Sequence, residues 1–102
     1  MSNTSRKLSN SQIRHLRGLA HALNPVVMVG DKGLTPPVID EIKLGLDSHE
    51  LIKINIRADD REQKADIIKK ILSKTQSHKI QTIGGKLVIY KESKEQKIAL
   101  PK

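Results

Sequence analysis

Two spacings of apolar residues alternate along the chain, and they divide it into seven elements. Ile13, Leu16, Ala20 and Leu23 recur at helical spacing. Ser9 and Gln12 precede them as a capping box, in which a hydroxyl and an amide satisfy two free N–H groups of the first turn. Asn24-Pro25 predicts the stop, because a residue before proline avoids helical angles. Val26-Val27-Met28-Val29 reads as a short buried strand, and residues 30–33 as a turn. Thr35 as cap and Pro36 at the first helical position open a second helix, running to about Asp47 and burying Val38, Ile39, Ile42 and Leu46. Over residues 50–57 the period becomes two: Ile52, Ile54 and Ile56 alternate with Lys53, Asn55 and Arg57, predicting a strand with one buried face. Asp59 or Asp60 caps a third helix with Ala65, Ile68, Ile71 and Leu72 inward. Residues 79–83 and 86–90 form two strands joined by Gly84-Gly85, a pair that accepts the positive φ angles of a tight hairpin.

The order α-β-α-β-α-β-β predicts one α/β domain, a four-stranded mixed sheet packed with helices, with parallel crossovers and an antiparallel hairpin closing the sheet. At 102 residues the chain is long enough to bury such a core without staples. Residues 1–7 are polar and expected to be a flexible N-terminus, 8–91 the domain, and 92–102 a charged flexible tail.

Composition narrows the chemistry. Cysteine is absent, which removes disulfides, thiol catalysis and cysteine metal sites. No apolar run approaches the ~18 residues of a membrane span. The first residues lack a hydrophobic segment, so a cytoplasmic protein is expected, with no membrane partner. Tyr90 is the single aromatic.

Charge narrows the possible partners further. The net charge is +8 and the pI about 9.9, which fits nucleic acid, an anionic membrane face or an acidic protein as partner. The excess is uneven: residues 1–34 carry five basic side chains and one acidic, whereas residues 35–48 carry Lys43 against Asp40, Glu41 and Asp47. A merely solubilising surface mixes its signs, as residues 59–78 do.

Within the basic half, Gly30-Asp31-Lys32-Gly33 stands between a strand and a helix. Its glycines permit a sharp turn and a close approach of a partner to the backbone, Lys32 adds positive charge, and the next helix points its free N–H groups nearby. A loop of this G-x-x-G form clamps single-stranded nucleic acid in another fold. The plainer alternative is a turn from strand to helix, which Asp31, repelling phosphate, favours. On the first helix, Arg14, Arg17 and His21 share one stripe away from the apolar face. Lys53, Arg57 and the hairpin residue Lys86 are further candidates for the same surface.

The stretches LSNSQIRHLRGLAHALNPVVMVGDKGLTPPVIDEI, SHELIKINI and IQTIGGKLVIYK resemble the CRM domain, for chloroplast RNA splicing and ribosome maturation, in its stand-alone bacterial YhbY type. The resemblance spans residues 8–91. It implies an α/β fold similar to the C-terminal domain of a bacterial translation initiation factor. It also implies RNA binding without catalysis, association with precursors of the large ribosomal subunit, and a role in ribosome assembly. Ribosomal RNA is then the expected partner of a monomer, with ribosomal proteins as further contacts. The family's G-x-x-G loop maps onto Gly30, Asp31, Lys32 and Gly33. Family members commonly carry a basic residue after the first glycine, where this chain has Asp31, so Lys32 alone carries the loop's positive charge. The usual Tyr-Arg after the last strand is Tyr90-Lys91.

Other functions leave weaker traces. An accessory RNA-binding role outside the ribosome, in splicing or small-RNA control, fits the same residues. An RNA-processing enzyme would need an acid–base pair, for which His49-Glu50 is the candidate. His15 and His21 are six apart and face different ways, so they cannot share a metal. Gly84-Gly85-Lys86 lacks the upstream glycine and the following hydroxyl of a phosphate-binding P-loop. No cofactor and no metal are expected.

Overall fold

The computed structural model describes residues 8–101. The N-terminus predicted as flexible, residues 1–7, lies outside the described residues. The elements are α1 (Asn10–Ala20), β1 (Val27–Val29), α2 (Pro36–His49), β2 (Leu51–Ile56), α3 (Arg61–Thr75), β3 (His78–Ile83) and β4 (Lys86–Tyr90). The strands form a single mixed sheet in the order β1-β2-β4-β3. β1 pairs parallel with β2, and β4 lies antiparallel between β2 and β3. The hairpin therefore does close the sheet, with its second strand inserted at the centre and its first at the edge.

Each face of the sheet has its own core. Ile52, Ile54 and Ile56 of β2, with Val27, Val29, Leu87 and Ile89, pack against Ile42 and Leu46 of α2 and Ile67 and Ile71 of α3. On the opposite face Leu16 and Ala20 of α1 cover Leu51, Ile80, Val88 and Tyr90. The central strands are thus sandwiched between layers, as alternation in β2 and an almost continuous apolar run in β4 require.

Local signals act where the sequence places them, with four differences. The capping box of α1 forms: the Ser9 hydroxyl accepts from the Gln12 N–H (3.2 Å), and the Gln12 amide accepts from the Ser9 N–H (2.9 Å). Yet α1 stops at Ala20, before Asn24-Pro25. Ala22 and Leu23 continue only with three-residue bonds to the Leu19 (3.4 Å) and Ala20 (3.0 Å) carbonyls, and Leu23 stays 36% exposed. Thr35 occupies the cap of α2 in extended conformation but makes no side-chain capping bond. Asp60 caps α3 through the Gln63 N–H (2.7 Å). The inward face of α3 is Ile67, Ile71 and Thr75, with Ile68 and Leu72 half-buried at its flank and Ala65 exposed. The helix leans on the sheet and α2 together, so its covered stripe is wider than one row of apolar residues and Ala65 falls at its outer edge. In the hairpin only Gly84 takes a positive φ (57°), whereas Gly85 brings its backbone against β2, where the Ile56 N–H donates to the Gly85 carbonyl (2.6 Å).

The largest departure concerns the segment read as a flexible tail. Residues 92–101 fold back as a strap over the α1 side, where Ile98 and Leu100 pack on the second core. Its anchor is Glu50, fully buried at the junction of α2 and β2 with φ 67°. The carboxylate accepts from the Ser93 N–H (2.7 Å), the Ser93 hydroxyl (2.5 Å) and the Ile98 N–H (2.8 Å). Lys97 donates to the Ser48 carbonyl (2.7 Å) and the Gln12 amide to the Pro101 carbonyl (3.0 Å). A polar, charged composition predicts freedom only when no buried acceptor awaits its N–H groups, and here one does.

Burial pushes the Glu50 carboxyl up, but the bonds from the Ser93 hydroxyl and N–H, and from the Ile98 and Lys97 backbone, outweigh it and hold the carboxyl below its ordinary value of 4.5. A carboxyl lowered in the folded state adds stability that is fully present above its unfolded value and lost as pH falls through the folded value. Glu50→Gln should therefore cost about 2 kcal/mol at neutral pH, and the gap to the parent should close below about pH 4. Denaturant melts at pH 7 and pH 3 check this, and trypsin at pH 8 should cut faster after Lys94 and Lys97 in the variant. Equal stability at pH 7 would show that the strap needs no charged anchor.

Candidate nucleic-acid interface

The site begins with where α1 stops. Ending at Ala20, the helix covers one half of its sheet face and leaves the other half open. One row of this open half crosses all four strands in register: Met28 opposite Asn55, Asn55 opposite Lys86, Lys86 opposite Ile83. Side chains directly opposite share a face, so these four stand on the α1 side of the sheet. Lys53, opposite Val88, and Gln81, also opposite Val88, form the next row. His21, Lys53, Gln81, Ile83 and Lys86 line one depression of about 230 Å³, floored by Ala20 and Val88.

The register on β3 depends on a bulge. Lys79 faces Ile89 and Gln81 faces Val88, so Ile80 is an extra residue. Its side chain is buried under α1, and its carbonyl, out of the ladder's regular pairing, accepts from Nε of Arg17 (3.3 Å). Arg17 is therefore less free of the core than the helical stripe implies: it ties α1 to β3 at the rim of the depression. Arg14, exposed, lies about 10 Å along the helix from His21.

The Gly30–Gly33 loop sits at the end of the sheet. The Gly33 N–H donates to the Gly30 carbonyl (2.9 Å) and Gly33 takes φ 75°, while Asp31 and Lys32 are exposed. The Arg57 N–H donates to the Val29 carbonyl (2.9 Å), which sets Arg57 beside the loop. The Gly84-Gly85 turn follows along the same edge, held to α3 by a hydrogen bond from Lys64 to the Gly84 carbonyl. Lys86 starts β4 at this end, two strand spacings or about 10 Å from β1. Of the residues singled out in the sequence, His21, Lys53 and Lys86 thus converge, Lys32 and Arg57 border them at one end, and Arg14 is the most remote.

Sequence reasoning missed Met28, Asn55, Gln81 and Ile83. Met28 belongs to a strand expected to be buried, yet it is 61% exposed, and Ile83 is 60% exposed. The reason is topological: β1 and β3 are the edge strands, and neither has a helix over this part of the α1 side. Only the pattern of helix ends over the sheet reveals this. The pair His49-Glu50 has no geometric support as an acid and base, since Glu50 is buried with its carboxylate occupied by the strap while His49 is exposed. Among the described residues, no group of three or more His, Asp or Glu is placed to hold a metal. No helix of the described chain is long and apolar enough to cross a membrane.

The molecule is thus a three-layer α/β domain with one half-open, basic sheet face. The chain belongs to the CRS1 / YhbY (CRM) domain family, which it matches over residues 8–91. It is 50% identical over 95 residues to a Haemophilus influenzae protein named RNA-binding protein, covering 93% of this chain and 96% of that one. It is 40% identical over 95 residues to the Probable RNA-binding protein YqeI of Bacillus subtilis, covering 92% and 99%. These relatives are of the stand-alone bacterial YhbY type. The solution structure of the hypothetical protein SAV1595 from Staphylococcus aureus superposes with a TM-score of 0.80 at 36% identity, covering 93% of this chain and all of that one.

The two loop glycines separate by backbone angle. A Cβ at either meets nothing within 4 Å, but only Gly33 has positive φ. Gly33→Ala should cost about 1 kcal/mol and Gly30→Ala should be near neutral. Thermal melts of the two variants distinguish them, and equal losses would place the strain elsewhere.

Proposed function

We propose that the protein is a non-catalytic RNA-binding protein that associates with precursor RNA of the large ribosomal subunit during ribosome assembly, as a cytoplasmic monomer. The observation that carries this is the convergence of His21, Lys53 and Lys86 in one open depression, with Lys32 and Arg57 at the same end of the sheet. The ion pair Lys70–Asp66 lies on α3, across the sheet from this face, and Lys97–Glu95 lies within the strap. Such an arrangement suits phosphates approached from one side. The names of the relatives support RNA as the ligand. The ribosomal part rests on the resemblance to the stand-alone CRM proteins. Phosphate contacts give affinity, and the shape of folded RNA gives selectivity. Cross-linking in cells followed by mapping of the bound RNA tests the target: enrichment of large-subunit precursor RNA is expected, and enrichment of small RNAs or introns instead would move the protein outside the ribosome.

Binding to a ribosomal RNA fragment should weaken linearly in log affinity against log salt, each neutralised phosphate contributing a slope of about −0.7 to −0.9. A flat titration would remove phosphate contacts from the account.

Asp31 supplies a signed test of the loop. Asp31→Lys should tighten RNA binding by about 0.5–1 kcal/mol and Lys32→Glu should weaken it by a similar amount, both effects shrinking as salt rises. Asp47→Lys, toward the far end of α2, makes the same change in net charge away from the proposed surface. Equal tightening by Asp31→Lys and Asp47→Lys would leave a generally basic protein with no clamp at the loop.

A further inference from the structure

The uncovered row of the sheet is not simply basic. From edge to edge it reads Met28, Asn55, Lys86, Ile83, with Lys53 and Gln81 beside it. The two outer positions are large apolar side chains, each more than half exposed. Between them lie an amide and an ammonium. Three strand spacings, about 14 Å, separate the outer strands. A phosphate-binding surface alone needs only cations, and it gains nothing from a methionine and an isoleucine held in water.

We infer that this strip contacts the bases of a short unpaired stretch of RNA, a loop or bulge, and not a paired helix. This deepens the proposed RNA binding and rests on it. Met28 and Ile83 supply apolar area for the faces of unstacked bases, and the Met28 thioether also suits the edge of an aromatic ring. Asn55 and Gln81 offer amide donors and acceptors to base edges, and Lys53 and Lys86 hold the flanking phosphates. In another fold, a four-stranded sheet presents two or three bases in this way on aromatic side chains. Here two aliphatic side chains take that place.

A paired A-form helix fits the strip poorly. It hides its base faces and presents sugars and phosphates, against which Met28 and Ile83 would desolvate polar groups without replacing their hydrogen bonds. A second copy of the chain fits poorly too. Two such strips facing each other would bring Lys53 and Lys86 against the same lysines of a chain that already carries +8. Unpaired RNA is the occupant that matches both the apolar positions and the charge.

The test compares two RNA duplexes, one fully paired and blunt-ended and the other the same duplex with a three-nucleotide bulge added in one strand. Both are titrated against the full chain and against the double variant Met28→Gln, Ile83→Thr. The variant keeps net charge and strand propensity, and both positions are exposed, so an unchanged melting temperature is expected; Ile83→Thr alone serves if the double variant melts lower. The parent should prefer the bulged RNA about tenfold, roughly the effect of covering one partly exposed aliphatic side chain. The variant should lose that preference while its salt slope stays unchanged. Lys53→Ala with Lys86→Ala should do the reverse, lowering affinity for both RNAs and flattening the salt slope. A parent that binds both RNAs equally, or a variant that keeps the preference, overturns the strip while leaving phosphate binding intact. If neither RNA binds with salt dependence, RNA binding itself falls and the strip with it. A parent dimer that dissociates on the Met28→Gln, Ile83→Thr change would assign the strip to a second copy and overturn its assignment to RNA.

Discussion

The alternation along β2 places Ile52, Ile54 and Ile56 against α2 and α3, and sends Leu51, Lys53 and Asn55 to the other side. A slip of one residue would exchange the two sets, burying a lysine and an amide and exposing three isoleucines. Since β2 pairs with both β1 and β4, the same register sets Met28 and Lys86 beside Asn55. The open face is therefore aligned by the core on its far side. Burying each isoleucine contributes about 1.5–3 kcal/mol, and that energy is what fixes the position of polar groups that contribute little to stability themselves.

Much of this was legible in the sequence wherever the cause was local. The Ser9–Gln12 capping box, the proline start of α2 and the alternation of β2 each depend on neighbours within a few residues, and each formed as expected. The α/β order followed from those elements. What escaped was set by contacts distant in the chain. The exposure of Met28 depends on β1 lying at an edge, since a run of four apolar residues does not say how many of its sides are covered. Arg17 looked like part of a solvated stripe, and its bond to the Ile80 carbonyl follows from a bulge that no periodicity announces.

Glu50 shows the same limit for chemistry. Beside His49 it has the form of an acid–base pair, and as residue types in sequence nothing separates that from a structural carboxylate. Burial and three donors decide it. A general base must keep a lone pair for its substrate, whereas the oxygens of this carboxylate are turned to the strap. His21, Lys53 and Lys86 stand at the opposite extreme, held near one another by rigid elements and open to solvent.

The strap has a bearing on how the folded chain opens. The bond between Gln12 and Pro101 joins parts of the molecule 89 positions apart, and Ile98 and Leu100 complete the layer whose first members are Leu8, Ile13 and Leu16. The α2–α3 side, by contrast, is assembled from residues 27–89. The α2–α3 layer thus needs nothing from residues 93–101, whereas without them α1 keeps its apolar stripe only partly covered. Release of the strap is therefore a local opening that leaves the sheet and its α2–α3 layer closed, and amide exchange in residues 93–101 need not wait for global unfolding.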